Sequence, residues 1–151
     1  MITIHRTNSQ NADFRILVQK LDQELKIKDG ADHAFYAPFN VIDKVSQVVV
    51  AYWDSLPVGC GAIKAYDKAG VVEIKRMFVD PAHRGRGIAT KILQELESWA
   101  RELSYSRCIL ETGLKQPEAI ALYKKCGYLI IPNYGQYENV EGSVCFEKTL
   151  F

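Results

Sequence analysis

The stretch Arg84-Gly85-Arg86-Gly87-Ile88-Ala89 has the residue types of a loop that binds an anion. Glycine lets the backbone turn tightly and approach a ligand closely. A helix that begins at such a loop presents unpaired amides, with the positive end of its dipole behind them. The two arginines add positive charge, although their side chains can instead face solvent. The sequence therefore predicts a phosphate or diphosphate site here.

Three kinds of phosphate loop compete for this stretch. A P-loop requires G-x-x-x-x-G-K-[ST], and no Gly-Lys pair occurs in the chain, which excludes it. A dinucleotide fingerprint requires a third small residue, where this sequence has Thr90, and a parallel βαβ unit of which only a fragment is present. Whether the third kind of loop applies is decided by the segments before and after these residues.

The elements on either side of the loop can be read from hydrophobic periodicity. A strand is predicted from Val71 to Val79, and Asp80-Pro81 should end its pairing because proline lacks a donor. After the loop, apolar residues at helical spacing predict an amphipathic helix from Ile88 to Leu103. Its predicted polar face carries Lys91, Glu95, Glu97 and Arg101.

The rest of the chain predicts a mixed α+β layer fold. Strands are predicted at Ile2 to Ile4, Val48 to Trp53, Val58 to Tyr66, Arg107 to Leu110, Tyr128 to Ile131 and Ser143 to Leu150, and helices at Asp13 to Leu25 and Glu118 to Lys125. The aromatic stretch from Gly30 to Asn40 is expected to form a loop with a short helix.

Size and composition indicate an ordinary globular protein. The 151 residues suit one domain over 1–151, and the net charge of +1 gives no global attraction for polyanions. We expect a cytoplasmic protein, since the N-terminus lacks a signal-peptide layout and no apolar run is long enough for a membrane span. The four cysteines lack C-x-x-C spacing, so we expect buried thiols and no metal site.

Two segments resemble a known family. The first runs from Glu73 to Ala89 and closely resembles the acetyl-CoA-binding segment of the GCN5-related N-acetyltransferases, whose signature is [Q/R]-x-x-G-x-[G/A]. The second, Ala119 to Tyr128, resembles the family's second cofactor segment, which ends in aromatic-x-x-x-Gly-aromatic. Both segments lie in the family's order. The first 45 residues resemble the family only in helix placement.

The resemblance implies a mixed, mostly antiparallel central sheet of six to seven strands flanked by about four helices. In this family the strand before the loop bulges and splays from its neighbour, which opens a cleft for the pantetheine arm. The pyrophosphate would lie on the loop amides. The implied cofactor-binding residues are Met77, Phe78, Val79, Arg84, Gly85, Arg86, Gly87, Ile88, Ala89 and Thr90.

Two residues match catalytic positions of the family. Glu73 lies where several members carry a catalytic glutamate, which would act as a general base through water. It could equally be a strand carboxylate paired with Lys75 or Arg107. Tyr123 lies where the family commonly places a tyrosine near the CoA sulfur, able to protonate the thiolate. Its alternative role is a core aromatic packed on the sheet.

Four residues are candidates for binding the acceptor. His33 and Tyr36 belong to the region that resembles the family's acceptor-site wall, although core packing is an alternative for the aromatic ring. Glu111 and Thr112 end the strand that borders the cleft, where ordinary capping is the alternative. His83 is expected to be an exposed loop residue.

These patterns lead to one main hypothesis: an acetyl-CoA-dependent N-acetyltransferase that acts on a primary amine of a small molecule or peptide by direct attack in a ternary complex. The alternative is a non-catalytic acyl-CoA-binding regulatory module. Nucleic acid is not an expected partner, because no basic run or stacking platform surrounds Arg84 and Arg86. A membrane is not expected either. The resemblance also allows a homodimer through the late strands or the connection from Asn133 to Gly142.

Overall fold

The described residues form a seven-stranded sheet with helices on both faces. The computed structural model describes residues 1–30 and 47–151. The strand order is β1-β2-β3-β4-β5-β7-β6. The strands are β1 (Ile2–Thr7), β2 (Gln47–Trp53), β3 (Leu56–Ala65), β4 (Val71–Val79), β5 (Arg107–Gly113), β6 (Leu129–Ile131) and β7 (Ser143–Thr149), and the helices are α1 (Ala12–Asp29), α2 (Ile88–Glu102) and α3 (Pro117–Lys125).

A cleft opens between the two central strands. All neighbouring strands pair antiparallel except β4 and β5, which pair parallel. That pairing joins Val71, Val72 and Glu73 to residues 107–109 and extends no further, although β4 runs on to Val79 and β5 to Gly113. The unpaired ends of the two strands therefore border a cleft, as the family resemblance predicts.

A bulge in β4 lies where the strand leaves β5. Ala62 pairs with Lys75, whereas Cys60 pairs with Phe78, so residues 76 and 77 of β4 lie opposite Gly61 alone. Arg76 takes a positive φ of 59°, which is uncommon for a residue with a side chain. The bulge shifts the alternation of β4, so sequence periodicity alone assigns the wrong faces beyond residue 75.

Helix α2 packs on one face of the sheet through an apolar stripe. Ile92, Leu93 and Leu96 are fully buried against residues of β2, β3 and β4. Close packing needs glycine on β3, because a Cβ at Gly59 would lie 2.9 Å from Ile92 Cδ1 and 3.0 Å from the Phe78 carbonyl oxygen.

Helix α1 covers the opposite face. Asn11 caps its first turn by accepting a hydrogen bond from the Phe14 amide at 2.9 Å. Phe14, Leu17 and Leu21 pack against residues of β2, β3 and β4, including Phe78. The two helices thus fix the far end of β4 from both sides.

The predicted order of strands and helices is confirmed over the described residues, whereas the loop with a short helix expected from Gly30 to Asn40 lies, beyond Gly30, outside them. About four helices were expected, and the described ranges contain three α-helices. Glu97 was predicted to lie on the polar face of α2, which is wrong: its side chain is buried, accepting hydrogen bonds from Tyr128 Oη at 2.8 Å and Lys148 Nζ at 2.9 Å. These partners come from later segments that cover the helix. None of the helices in residues 1–30 and 47–151 has the length and hydropathy to cross a bilayer.

Candidate functional site

The glycine-rich loop leads directly into the N-terminus of α2. Gly85 and Gly87 have φ values of 81° and 77°, and a Cβ at either position would meet open space, so backbone conformation rather than crowding requires glycine. In the part of the chain that the structure describes, no side chain caps Gly87, and the Lys91 amide makes the first α2 hydrogen bond, to the Gly87 carbonyl. The amides of the preceding helical residues, Ile88 to Thr90, are therefore the unpaired donors of the α2 N-terminus.

Arg84 is held against the end of β4. Its Nε donates to the Val79 carbonyl at 2.8 Å, and Nη2 donates to Glu24 of α1 at 2.6 Å. Burial alone would raise the pKa of the Glu24 carboxyl, but hydrogen bonds from Lys28 and Arg84 outweigh it and hold that pKa below its usual value. The pair thus connects α1 to the loop.

The loop also positions a histidine. His83 is half-buried and lines the groove beside Arg84, so the expectation of an exposed loop residue is wrong. Its Nδ1 is buried and lacks a hydrogen-bond partner within the described ranges. The Arg86 side chain instead lies over the Trp53 ring at 4.7 Å, and Arg86 is the one predicted cofactor residue that does not line the groove.

These residues belong to a groove of about 460 Å³, which we call the loop groove. It runs between the end of β4, the loop, α1 and α3. A groove of this size is in the range that holds a drug-sized ligand. The predicted cofactor residues that line it are Met77, Phe78, Val79, Arg84, Gly85, Gly87, Ile88, Ala89 and Thr90.

A second, more polar cavity lies between β4 and β5, and we call it the carboxylate cavity. Its wall includes both predicted carboxylates, Glu73 and Glu111, together with Thr112 and Tyr123. The structure therefore brings together every described residue predicted for catalysis or acceptor binding. His33 and Tyr36, the other two acceptor candidates, lie outside the described residues.

The groove and the cavity meet at a common wall. Among the described residues, five line both spaces: Leu21, Met77, Gln116, Ala119 and Tyr123. A ligand in the loop groove and a ligand in the carboxylate cavity would thus approach each other at this wall.

Tyr123 is both a packed aromatic residue and a residue of the common wall. The centroid of its ring lies 5.8 Å from that of Tyr128 and 5.9 Å from that of Phe146. The packing role named as the alternative is therefore present, together with the position on the wall. Burial, with the nearby Cys126 and Glu111, raises the pKa of the Tyr123 hydroxyl. The phenol is therefore protonated at neutral pH and can donate a proton.

Glu73 has a partner that the sequence did not indicate. Tyr134 donates a hydrogen bond of 2.6 Å to Glu73 Oε2, and Lys75 Nζ lies 3.8 Å from Oε1. The proposed pairing with Lys75 is thus present, whereas Arg107 binds Glu147 instead. Burial, and then the charge of Glu73, raises the pKa of Tyr134, so Tyr134 stays a donor at neutral pH.

Tyr134 lies in an aromatic cluster on the connection before β7. Its ring packs edge-to-face on Tyr66 at 5.4 Å and on Tyr137 at 5.8 Å. Tyr137 also lines the carboxylate cavity. The sequence has tyrosines at positions 128, 134 and 137, but their spacing does not indicate a contact with Glu73.

Both signs of charge occur in the carboxylate cavity. Glu111 Oε2 accepts a hydrogen bond from Ser143 at 2.8 Å, and Thr112 is buried beside it. Burial lowers the pKa of Lys75, an effect that Glu73 opposes. Arg76, which was not predicted as a site residue, lines the same cavity.

None of the four cysteines, all within the described ranges, lines the groove or the cavity. Burial raises the pKa of Cys60 and Cys108 to about 12 and of Cys145 to about 11. Those three are neutral thiols near pH 7, which makes them poor nucleophiles.

Comparison with known proteins agrees with this geometry. The chain matches the acetyltransferase (GNAT) family over residues 10–128. It is 33% identical to an IAA acetyltransferase of Azospirillum brasilense over 150 residues, which cover 99% of this chain and 98% of the relative.

Solved structures show the same fold. A Klebsiella pneumoniae protein assigned to the acyl-CoA N-acyltransferases superposes with a TM-score of 0.83 at 34% identity, covering 100% of this chain and 99% of the other. The PaiA N-acetyltransferase of Thermoplasma acidophilum, solved with coenzyme A, has a TM-score of 0.73 at 16% identity, with 99% of each chain covered. At that identity the second likeness concerns the fold alone.

Proposed function

The chain belongs to the acetyltransferase (GNAT) family, and from this premise we propose that it transfers the acetyl group of acetyl-CoA to a primary amine by direct attack in a ternary complex. The observation that carries the proposal is the common wall. Because the loop groove and the carboxylate cavity share Met77, Ala119 and Tyr123, a donor in one and an acceptor in the other have adjoining reactive ends.

The loop groove has the chemistry that a CoA diphosphate requires. The unpaired amides from Ile88 to Thr90 point from a helix N-terminus, and the left-handed glycines expose the loop backbone before them. His83 and Arg84 add donors at the same place. Residues 77–79 would hold the pantetheine arm. Acetyl-CoA, when bound, supplies the acetyl group as an activated thioester.

Glu73 is the proposed general base for the acceptor. A primary amine arrives as an ammonium ion and must lose a proton before its nitrogen can attack. Glu73 takes that proton, through a water molecule, while Tyr134 holds Oε2 in place. Glu111, on the neighbouring strand, adds negative charge that favours the incoming ammonium.

Tyr123 is the proposed general acid. When the amine nitrogen bonds to the carbonyl carbon, the thioester C–S bond breaks and the sulfur leaves with the electron pair. The Tyr123 hydroxyl gives its proton to that thiolate, and the amine nitrogen, which still carries two protons, loses one to the Tyr123 phenolate as the amide forms. Its raised pKa keeps the hydroxyl protonated before the reaction. Direct attack is favoured over an acyl-enzyme because no cysteine borders either space in the described chain.

Initial-rate kinetics of thiol release tests this proposal. Acetyl-CoA is incubated with small amines, polyamines, amino acids and peptides, and with IAA, because the Azospirillum relative is named for it. We expect amine-dependent thiol release with intersecting double-reciprocal lines, as a ternary complex requires. Parallel lines would contradict direct attack. Acetyl-CoA binding by calorimetry without release for any amine would instead indicate a non-catalytic acyl-CoA-binding module.

A further inference from the structure

Arg76 has hydrogen-bonding capacity that the described protein does not use. Its side chain is 2% exposed, and Nη2 donates to Asp22 of α1. Nε and Nη1 are also buried, yet neither has a hydrogen-bond partner within residues 1–30 and 47–151. Leaving charged donors unpaired in a protein interior is costly, so such groups usually have a ligand or another role.

The backbone fixes Arg76 at the wall of the carboxylate cavity. Its positive φ of 59° belongs to the β4 bulge, and bulges commonly re-aim a side chain next to a site. Cys60 Sγ donates to the Arg76 carbonyl at 3.4 Å, which ties the bulge to β3. Because Asp22 accepts a hydrogen bond from Nη2, the guanidinium is anchored, while Nε and Nη1 make no hydrogen bond within the described residues.

The carboxylate cavity has cationic and anionic walls together. Glu73 and Glu111 suit an ammonium group, whereas Arg76 suits an anion of the same ligand. Guanidinium is planar and binds carboxylate better than a point charge does, because its N–H groups match the two oxygens. A simple amine would leave the donors of Arg76 unpaired.

We propose that the acceptor is a zwitterion of the amino-acid class, whose carboxylate binds Arg76 and whose amine lies toward Glu73. This inference rests on the proposed N-acetyltransferase function and names its substrate class. The carboxylate takes no part in bond making. It places the amine at the common wall, where Tyr123 and Met77 border the loop groove.

Matched acceptors test the inference on the wild-type protein. Thiol release from acetyl-CoA is measured with the common amino acids, each beside its carboxamide and its decarboxylated amine. At least one amino acid should exceed both analogues in kcat/KM by about tenfold or more, the effect of one charged hydrogen bond. The carboxamide's amine is the more readily deprotonated, so intrinsic reactivity opposes the expected order.

The outcomes separate the two proposals. If the carboxamide or the decarboxylated amine is used as well as each amino acid, the zwitterion proposal is overturned and the N-acetyltransferase function stands. If no primary amine of any class supports thiol release, the proposed function fails and this inference fails with it.

Variants of Arg76 test whether this residue binds the carboxylate of the acceptor. Arg76→Lys keeps the charge beside Asp22 but loses the planar fork, so KM for the amino acid should rise by about tenfold while KM for acetyl-CoA stays unchanged. Arg76→Met should abolish the preference over the carboxamide. Arg107→Met is the matched control, since Arg107 pairs with Glu147 and lines neither space. A KM for the amino acid within about twofold of wild type in a folded Arg76→Lys protein would overturn the assignment.

Discussion

Replacing Tyr123 with phenylalanine isolates the proposed acid from its packing role. The change removes one hydroxyl and keeps the ring between Tyr128 and Phe146. Because the ring contacts are retained, we expect the free energy of unfolding to change by less than about 1.5 kcal/mol. A change of that size in a chain this long shifts Tm by only a few degrees.

The expected loss of activity follows from the acidity of the two groups. General acid catalysis contributes about 10²–10⁴-fold in favourable cases. Here the gain is smaller, because the pKa of Tyr123 is raised by burial while an ordinary thiol has a pKa of about 8.5. A thiolate is a good leaving group that needs little assistance from an acid. A phenol with a raised pKa is in addition a weak proton donor. We therefore expect kcat to fall by roughly tenfold to a hundredfold, at or below the lower limit of that range.

Thiol release at saturating acetyl-CoA and amine measures kcat, and calorimetry measures acetyl-CoA affinity, which should stay within about twofold. Tyr105→Phe is the control, since Tyr105 is half-buried against the same core but lines neither space. A kcat for Tyr123→Phe within about twofold of wild type would exclude the acid role. A fall in Tm large enough to leave the variant partly unfolded in the assay would contradict the expected retention of its packing.

Three further predictions concern the glycine-rich loop, the hydrogen bond from Tyr134 to Glu73, and the pair formed by Glu24 of α1 and Arg84. Gly87→Val forces a β-branched residue into φ 77°, so acetyl-CoA affinity by calorimetry should drop at least tenfold, and wild-type affinity would contradict the loop assignment. Tyr134→Phe should lower kcat/KM about tenfold without changing acetyl-CoA affinity, because Glu73 loses its hydrogen bond; unaltered kcat/KM would exclude that role. Glu24→Gln removes a carboxylate whose pKa is lowered on folding, a group that stabilises the protein above the unfolded value of about 4.5 and stops doing so as pH falls. The stability difference between wild type and this variant in urea should thus shrink from pH 6 to pH 3, and a pH-independent difference would disprove the linkage.

The loop and its helix could be predicted because their signals are local. Gly85 and Gly87 stand beside the helix they start, and α2 shows its periodicity over fifteen residues. The residues that form the loop and the helix N-terminus are therefore neighbours in the sequence as well as in the fold. The same locality made the strand before the loop predictable from Val71 to Val79, although the bulge shifts its side-chain faces beyond residue 75.

The partners of the site could not be predicted because they depend on long-range contacts. Tyr134 reaches Glu73 from 61 positions away, through a connection without periodicity. Arg76 becomes a cavity residue only because the bulge shifts the faces of β4. Glu97 is buried only because Tyr128 and Lys148 close over it. Each case is decided by which segments the fold brings together.

The destination of the acetyl group distinguishes transfer to an amine from acylation of the protein and from hydrolysis. Wild-type protein is incubated with acetyl-CoA labelled in the acetyl group and an accepted amine, and mass spectrometry follows the label in the amine, the protein and free acetate. We expect one N-acetylated amine for each thiol released, with no label on the protein. Label on a protein side chain, or thiol release accompanied only by acetate, would contradict it.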